Sequence, residues 1–124
     1  KEDLKNGYGS MRYKNGIVYN GEWKNDNTHG NGEMNLPGGS SYIGEWKEGK
    51  KNGNGIYKYA NGDTYIGVYK DDFKHGSGIY TYAAGKIYNG EWKEGKKHGK
   101  GIMMTNTEKY FGEWDNNTMK NKIY

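Results

Sequence analysis

The chain has 124 residues, no cysteine and a formal net charge of +4, which is too small to indicate a nucleic-acid partner. Its length favours one domain, and the lack of cysteine excludes disulfides and thiolate metal sites and favours an intracellular protein, cytoplasmic or at the cytoplasmic face of a membrane or the cytoskeleton. A mean hydropathy of −1.25 would suggest disorder, but 15% aromatic residues and 22 periodic glycines favour a folded array of repeats.

The chain is organised as a series of related units. Residues 1–6 carry no pattern and are predicted to form a disordered N-terminal end, and residues 7–18 match the second half of a unit. Complete repeats begin at residues 19, 42, 65 and 88, an interval of 23 residues each time. A degenerate repeat, 110–124, closes a single array that spans residues 7–124.

Each unit contains two segments with the period of two that is typical of β-strands. In the second unit, Tyr42 and Trp46 lie on one face of the first strand, and Tyr57 and Tyr59 lie on one face of the second. Each unit is therefore predicted to be a hairpin. We expect an all-β fold, an elongated single-layer antiparallel β-meander of about ten strands that is open, twisted and solenoid-like.

Two kinds of connection are predicted between these strands. Asn15-Gly16 and Asn61-Gly62 indicate tight turns, because both residue types tolerate positive φ. The polar segment 48–52 is interpreted as a flexible loop within its unit. We also expect glycines on the aromatic face to leave room for rings, with Trp46 covering Gly53 and Gly55 of its own hairpin.

The pattern Tyr-x-Gly-x-Trp-x-x-Gly-x-x-x-Gly-x-Gly, present at residues 42–55 and 88–101, resembles the MORN repeat. The departures are local: Tyr69 replaces the tryptophan, and Asp26 and Asp72 replace the loop glycine. The resemblance implies an elongated sheet that serves as an interaction and scaffolding module. Such arrays occur alone, often as dimers, or attached to enzymes such as SET-type lysine methyltransferases and phosphatidylinositol phosphate kinases.

The sequence shows no pattern for catalysis, for a cofactor or for a metal. His29, His75 and His98 occupy the same place in their units, but successive units lie roughly 10 Å apart, too far for shared metal coordination. Acidic and basic side chains form two rows on the outward face, which we interpret as cross-strand ion pairs. These rows are Glu22, Glu45, Glu91 and Glu113, and Lys24, Lys47, Lys70 and Lys93. The chain is predicted to be non-catalytic.

Lysines near the loops are candidates for contact with an anionic membrane surface. They are Lys50, Lys51, Lys74, Lys96 and Lys97. Neighbouring aspartates and glutamates cancel their charge, which weakens the membrane interpretation. The alternative function is therefore a phospholipid-binding, membrane-targeting or regulatory module of a larger enzyme, a phosphatidylinositol phosphate kinase or a SET-type methyltransferase.

Protein binding is the leading functional hypothesis, and two surfaces compete for it. The first is the aromatic face, predicted to form a groove for a helix or an extended segment. Its members are Trp23, Tyr42, Trp46, Tyr57, Tyr59, Tyr65, Tyr69, Tyr80, Tyr82, Tyr88 and Trp92. The second is an apolar patch on the outer face, suited to a partner or to self-association; it comprises Ile43, Ile56, Ile66, Val68 and Ile79.

Overall fold

A computed structural model describes residues 4–123, which form one open antiparallel sheet with its strands in sequence order and no helix. The predicted all-β meander is confirmed, with eleven strands in place of about ten. The strands are β1 (Gly7–Arg12), β2 (Val18–Lys24), β3 (Asn27–Asn35), β4 (Ser41–Lys47), β5 (Lys50–Lys58), β6 (Thr64–Lys70), β7 (Phe73–Thr81), β8 (Ile87–Lys93), β9 (Lys96–Met104), β10 (Lys109–Asp115) and β11 (Thr118–Lys122).

A bulge with three residues opposite one bends the hairpin of every complete repeat. In the second unit Gly44 pairs with Gly55 and Trp46 pairs with Lys51, so Glu45 of β4 stands opposite three residues, 52–54, of β5. The equivalent hairpins shift register at the same place. Extra residues on one strand bend it and increase its twist. His29, His75 and His98, each followed by a glycine, lie in the bulges of their units.

The two kinds of connection are the reverse of those predicted. Glu48 and Gly49 both have positive φ and form a two-residue turn, so β5 begins directly at Lys50. At Asn61-Gly62 only the glycine has positive φ, 101°. The connection there spans residues 59–63, closed by the Gly62 amide donating to the Tyr59 carbonyl oxygen at 3.0 Å. The predicted flexible loop at 48–52 is absent, because Glu48 and Gly49, both in the left-handed backbone conformation, already reverse the chain.

Turns of successive units are hydrogen-bonded to one another. The Asp72 amide donates to the Lys51 carbonyl oxygen at 2.9 Å, and the Lys51 amide donates to Asp72 Oδ1 at 2.8 Å. Lys5 with Asp26, and Lys97 with Asn117, make the same reciprocal pair. An aspartate in place of the loop glycine thus supplies an additional acceptor that ties neighbouring hairpins together.

The core is a single layer of rings that lie over glycine backbone. The Tyr42 ring covers Gly44 and Gly55 of its own hairpin, and its hydroxyl donates to the Glu45 carbonyl oxygen at 3.1 Å. Trp46 instead donates its indole N–H to the Gly32 carbonyl oxygen of the preceding unit, at 3.1 Å. The prediction that Trp46 covers Gly53 and Gly55 is therefore wrong. A carboxylate, that of Glu45, lies against Gly53.

Edge-to-face contacts join the rings of one unit to those of the next. Tyr19 contacts Trp23 of its own unit with ring centroids 5.1 Å apart and Trp46 of the following unit at 5.5 Å. Tyr42 contacts Trp46 at 5.2 Å and Tyr69 at 5.2 Å in the same geometry. Such pairs are favourable beyond the area that they bury. The repeats therefore share one continuous aromatic core.

Both ends of the array differ from its middle. Residues 1–3 of the predicted disordered end lie outside the described residues, while Lys5 and Asn6 hydrogen-bond to the turn at residues 25–26. At the other end, the degenerate segment forms a full hairpin of β10 and β11. Its buried Trp114 indole nitrogen has no partner among the described residues, unlike the indoles of the preceding units.

The Asp63 carboxylate joins two neighbouring inter-unit loops by hydrogen bonds, and its ionisation should therefore affect the stability of the protein in acid. The carboxylate accepts hydrogen bonds from the Tyr80 hydroxyl at 2.7 Å and the Ala83 amide at 2.8 Å, and these bonds hold its pKa below the ordinary 3.8. A lowered folded-state pKa stabilises the protein above the unfolded value, and that contribution is lost as the pH falls through the folded value. We expect Asp63→Ser, which installs the residue found one repeat earlier at Ser40, to lower the melting temperature near neutral pH.

The difference in melting temperature between Asp63→Ser and the unmodified protein should become smaller as the pH falls below the ordinary aspartate pKa of 3.8. Thermal melts of both proteins across that range provide the measurement. A difference that stays constant down to the most acidic condition would show that the carboxylate charge at residue 63 contributes nothing.

Candidate functional site: the aromatic face

The structure divides the eleven predicted aromatic-face residues into two groups. Seven are buried within the protein, each 6% exposed or less, and they are Trp23, Tyr42, Trp46, Tyr65, Tyr69, Tyr88 and Trp92. The other four are half-buried, and they are Tyr57, Tyr59, Tyr80 and Tyr82. Only the second group offers ring surface to a partner, because neighbouring rings and backbone already cover the first.

The four half-buried tyrosines form a continuous row across two units of the sheet. Ring centroids are 4.4 Å apart between Tyr57 and Tyr59, 5.6 Å between Tyr59 and Tyr80, and 4.7 Å between Tyr80 and Tyr82. The Tyr59 hydroxyl accepts from Lys74, and the Tyr80 hydroxyl donates to Asp63. The hydroxyls of Tyr57 and Tyr82 make no hydrogen bond to any described residue. They are therefore available to a ligand.

A row of three lysines runs beside these tyrosines. Lys51, Lys74 and Lys97 pair across the strands with Trp46, Tyr69 and Trp92 respectively, which places them on the aromatic face. Their ammonium groups lie 5.8 Å from the Tyr57 ring centroid, 5.8 Å from that of Tyr80 and 5.7 Å from that of Tyr82. Such distances are those of cation–π contacts.

Of the five lysines predicted to line the loop edge, only Lys50 and Lys96 are exposed at the turns. The other three half-bury their side chains over the rings. The predicted placement of all five in loops is wrong, because each two-residue turn makes them the first or second residue of a strand. The signal that was missed is the recurrence of lysine at residues 51, 74 and 97.

The lysine row carries positive charge that is only partly neutralised. Lys51 has one carboxylate partner, Asp72, with Nζ and Oδ1 3.6 Å apart. Lys74 donates to the Tyr59 hydroxyl at 3.3 Å, and among residues 4–123 no carboxylate lies within ion-pair distance of Lys74 or Lys97. Burial lowers the pKa of Lys74, and the charges of Lys97 and Lys51 lower it further. We define the four half-buried tyrosines and these three lysines as the tyrosine–lysine strip.

The outer face carries a second candidate surface. Ile43 pairs with Ile56, Ile56 with Ile66, and Ile66 with Ile79, so the four side chains form one cross-strand row, the isoleucine ladder. Ile43 and Ile66 are 51% and 53% exposed. Val68, predicted to belong to this patch, is half-buried and lies against Gly76 of the bulge. A shallow apolar hollow lies between the first three isoleucines.

The charged residues of the outward face do not pair as predicted. The carboxylates of Glu22, Glu45 and Glu91 lie against bulge glycines, and among residues 4–123 no ion pair joins the glutamate row to the lysine row. His98 lies 3.7 Å from Asp115, measured from Nδ1 to Oδ1. Within the described part of the chain, no three His, Asp or Glu side chains converge on a point. The same residues include no helix with the length and apolarity to cross a membrane.

Comparison with known proteins assigns the repeats. The sequence signature of the MORN repeat matches residues 1–18, 19–41, 42–64, 65–87 and 88–105. The last four matches begin at a tyrosine that is the second residue of the first strand of its hairpin in the structure. No curated protein matches the chain. The five matches cover most of the sequence, and the chain belongs to the MORN repeat family, whose repeats are modules usually of protein or membrane interaction.

Proposed function

We propose that this chain is a non-catalytic module that binds a segment of a partner protein along the tyrosine–lysine strip. The observation that carries the proposal is the row of four tyrosine rings in mutual contact, half-exposed on a sheet face that has no second layer. Aromatic residues at the centre of a surface dominate the affinity of protein interfaces. The buried rings beneath hold the strip rigid, so little conformational entropy is lost on binding.

A displayed library of random peptides tests this proposal. We expect the chain to select peptides that bind the folded protein, and we expect Tyr57→Ala/Tyr82→Ala to abolish their binding. The control variant is Ile56→Asp/Ile79→Asp on the opposite face, which should bind as the unmodified chain does. Thermal melts establish that both variants are folded. Selection of no peptide, or loss of binding only in the control, would contradict the proposal.

Self-association through the isoleucine ladder is a second candidate, and the exposure of four adjacent isoleucines favours it. We expect Ile56→Asp/Ile79→Asp to shift the mass in light scattering from dimer to monomer while the melting temperature is retained. Ile56→Val/Ile79→Val is the matched control, since it keeps the apolar surface. An identical mass for all three proteins would exclude this role for the ladder.

We do not propose a membrane surface as the main partner. Three of the five candidate lysines lie over rings of the aromatic face, and only two remain exposed at the turn edge. Two lysines contribute about 2 kcal/mol to binding an anionic bilayer, which is weak. Co-sedimentation with phosphatidylserine vesicles at physiological salt measures this directly. Strong binding that is lost in Lys50→Gln/Lys96→Gln would restore the membrane role.

A further inference from the structure

The tyrosine–lysine strip has a charge pattern that indicates what kind of segment it binds. Lys51, Lys74 and Lys97 stand at the same position of three consecutive units, so they repeat once for every two strands of the sheet. Two strand spacings correspond to roughly 9.6 Å. At either end of the row the equivalent positions hold Thr28 and Met119, which carry no charge. The uninterrupted positive row therefore consists of these three lysines. Beyond Thr28, Lys5 occupies the equivalent position, with its ammonium group 5.1 Å from the Trp23 ring centroid.

Each of the three lysine side chains is half-buried, so part of it remains accessible to a ligand. Their ammonium groups lie over the rings of Tyr57, Tyr80 and Tyr82 respectively. Of the three, only Lys51 has a carboxylate within ion-pair distance among the described residues. Three like charges held together on a half-buried face repel one another. A ligand with negative charges at the same interval would relieve that repulsion and would form charge-assisted hydrogen bonds.

The interval matches one conformation of an extended polypeptide. A polyproline II helix has three residues per turn and rises about 3.1 Å per residue, so every third side chain lies on one face at intervals of roughly 9.3 Å. Grooves lined with aromatic rings are the usual binding sites of that conformation. The free hydroxyls of Tyr57 and Tyr82 supply donors for backbone carbonyls, which such a helix leaves without partners.

We propose that the tyrosine–lysine strip binds an acidic segment of a partner protein in the polyproline II conformation, with an aspartate or glutamate at every third residue. This proposal rests on the proposed function of the strip and specifies its ligand. The carboxylates contact Lys51, Lys74 and Lys97, and the intervening residues lie against the tyrosine row.

Binding of labelled synthetic peptides tests the proposal. The first peptide has glutamate at every third residue with proline between, the second has the same composition with its glutamates together at one end, and the third has glutamine for glutamate. We expect the first to bind most tightly, with an affinity that falls as the salt concentration rises. Equal binding of the first and second peptides, equal binding of the first and third, or no binding of the first would overturn the proposal.

Two triple variants with the same loss of charge separate specific contact from general attraction. Lys51→Gln/Lys74→Gln/Lys97→Gln should weaken binding of the first peptide by about tenfold or more. Lys47→Gln/Lys70→Gln/Lys93→Gln, on the outward face, should leave it unchanged. If the first variant melts too early to assay, Lys74→Thr, which installs the residue of the first unit, replaces it and should still weaken binding. Equal loss in both triple variants would overturn the proposal.

Other outcomes distinguish failure of this proposal from failure of the proposed function. In one outcome, the acidic peptide does not bind, but neutral peptides from the displayed library bind the unmodified chain and fail to bind Tyr57→Ala/Tyr82→Ala. That outcome would refute the acidic ligand and leave the proposed function of the module intact. Tight binding of phosphatidylserine vesicles that depends on Lys51, Lys74 and Lys97 would instead assign the lysine row to a membrane.

Discussion

Raising the pH to about 11 is expected to remove about 7 kcal/mol from the free energy of unfolding. Burial raises the pKa of seven tyrosines above the ordinary value of 10.0, and five of these are almost completely enclosed. For those five, the pKa rises to about 12 for Tyr19 and Tyr88 and further for Tyr42, Tyr65 and Tyr69. A raised folded-state pKa means that the unfolded chain ionises first, so stability is lost as the pH rises above 10.0. One pH unit above that value, each tyrosine accounts for about 1.4 kcal/mol.

Lys74 acts in the opposite direction, since burial lowers its pKa and the folded state binds its proton less tightly. One lysine does not offset five tyrosines. Denaturant titrations at neutral and alkaline pH, with tyrosinate absorbance recorded alongside, measure the effect. Tyr65→Phe should reduce the alkaline loss by about 1.4 kcal/mol, while Tyr8→Phe, at a ring that folding leaves exposed, should not change it. A free energy that does not fall on alkalisation would contradict the buried aromatic core.

Gly55→Ala is expected to destabilise the protein by about 3 kcal/mol or more. A Cβ on Gly55 would lie 2.5 Å from Cζ of Tyr42, and one on the facing Gly44 would lie 2.5 Å from the Gly55 Cα atom. Tyr42 is fully enclosed and its hydroxyl is hydrogen-bonded to Glu45, so the ring has no room to move. Denaturant unfolding of the variant measures the loss.

Gly9→Ala is the matched control for that substitution. Gly9 occupies the equivalent place in the opening half-repeat, and no tyrosine ring of the described residues covers it. The closest atom to a Cβ there is Trp23 Nε1, at 3.6 Å, which is ordinary contact. We expect a change within about 0.5 kcal/mol for Gly9→Ala. Equal losses for the two variants would refute the account in which tyrosine packs on bare glycine backbone.

The repeat period and the alternation of faces could be read from the sequence because both are local patterns. Tyr42 and Trp46 on one face, with Ile43 on the other, follow from the period of two within a single strand. The strand order follows from short connections between consecutive segments. These features depend on neighbours in the chain, and the sequence displays them directly.

The packing partners, and the face of the sheet on which the lysines lie, could not be predicted because they depend on the register between strands. The bulge sets three residues opposite Glu45, and this shift brings Lys51, not a glycine, beside Trp46. It also leaves the indole of Trp46 directed toward Gly32 of the preceding unit. A bulge that matches three residues with one leaves no mark in the alternation of a single strand, so the tyrosine–lysine strip appears only in three dimensions.

A chemical-shift map of the isotope-labelled chain, recorded with a peptide selected from the displayed library, locates the binding surface residue by residue. We expect the shifts to concentrate at Lys51, Lys74 and Lys97 and along the tyrosine row, with the outer face unchanged. Shifts concentrated at Ile43 and Ile66, with the tyrosine–lysine strip unaffected, would contradict this expectation.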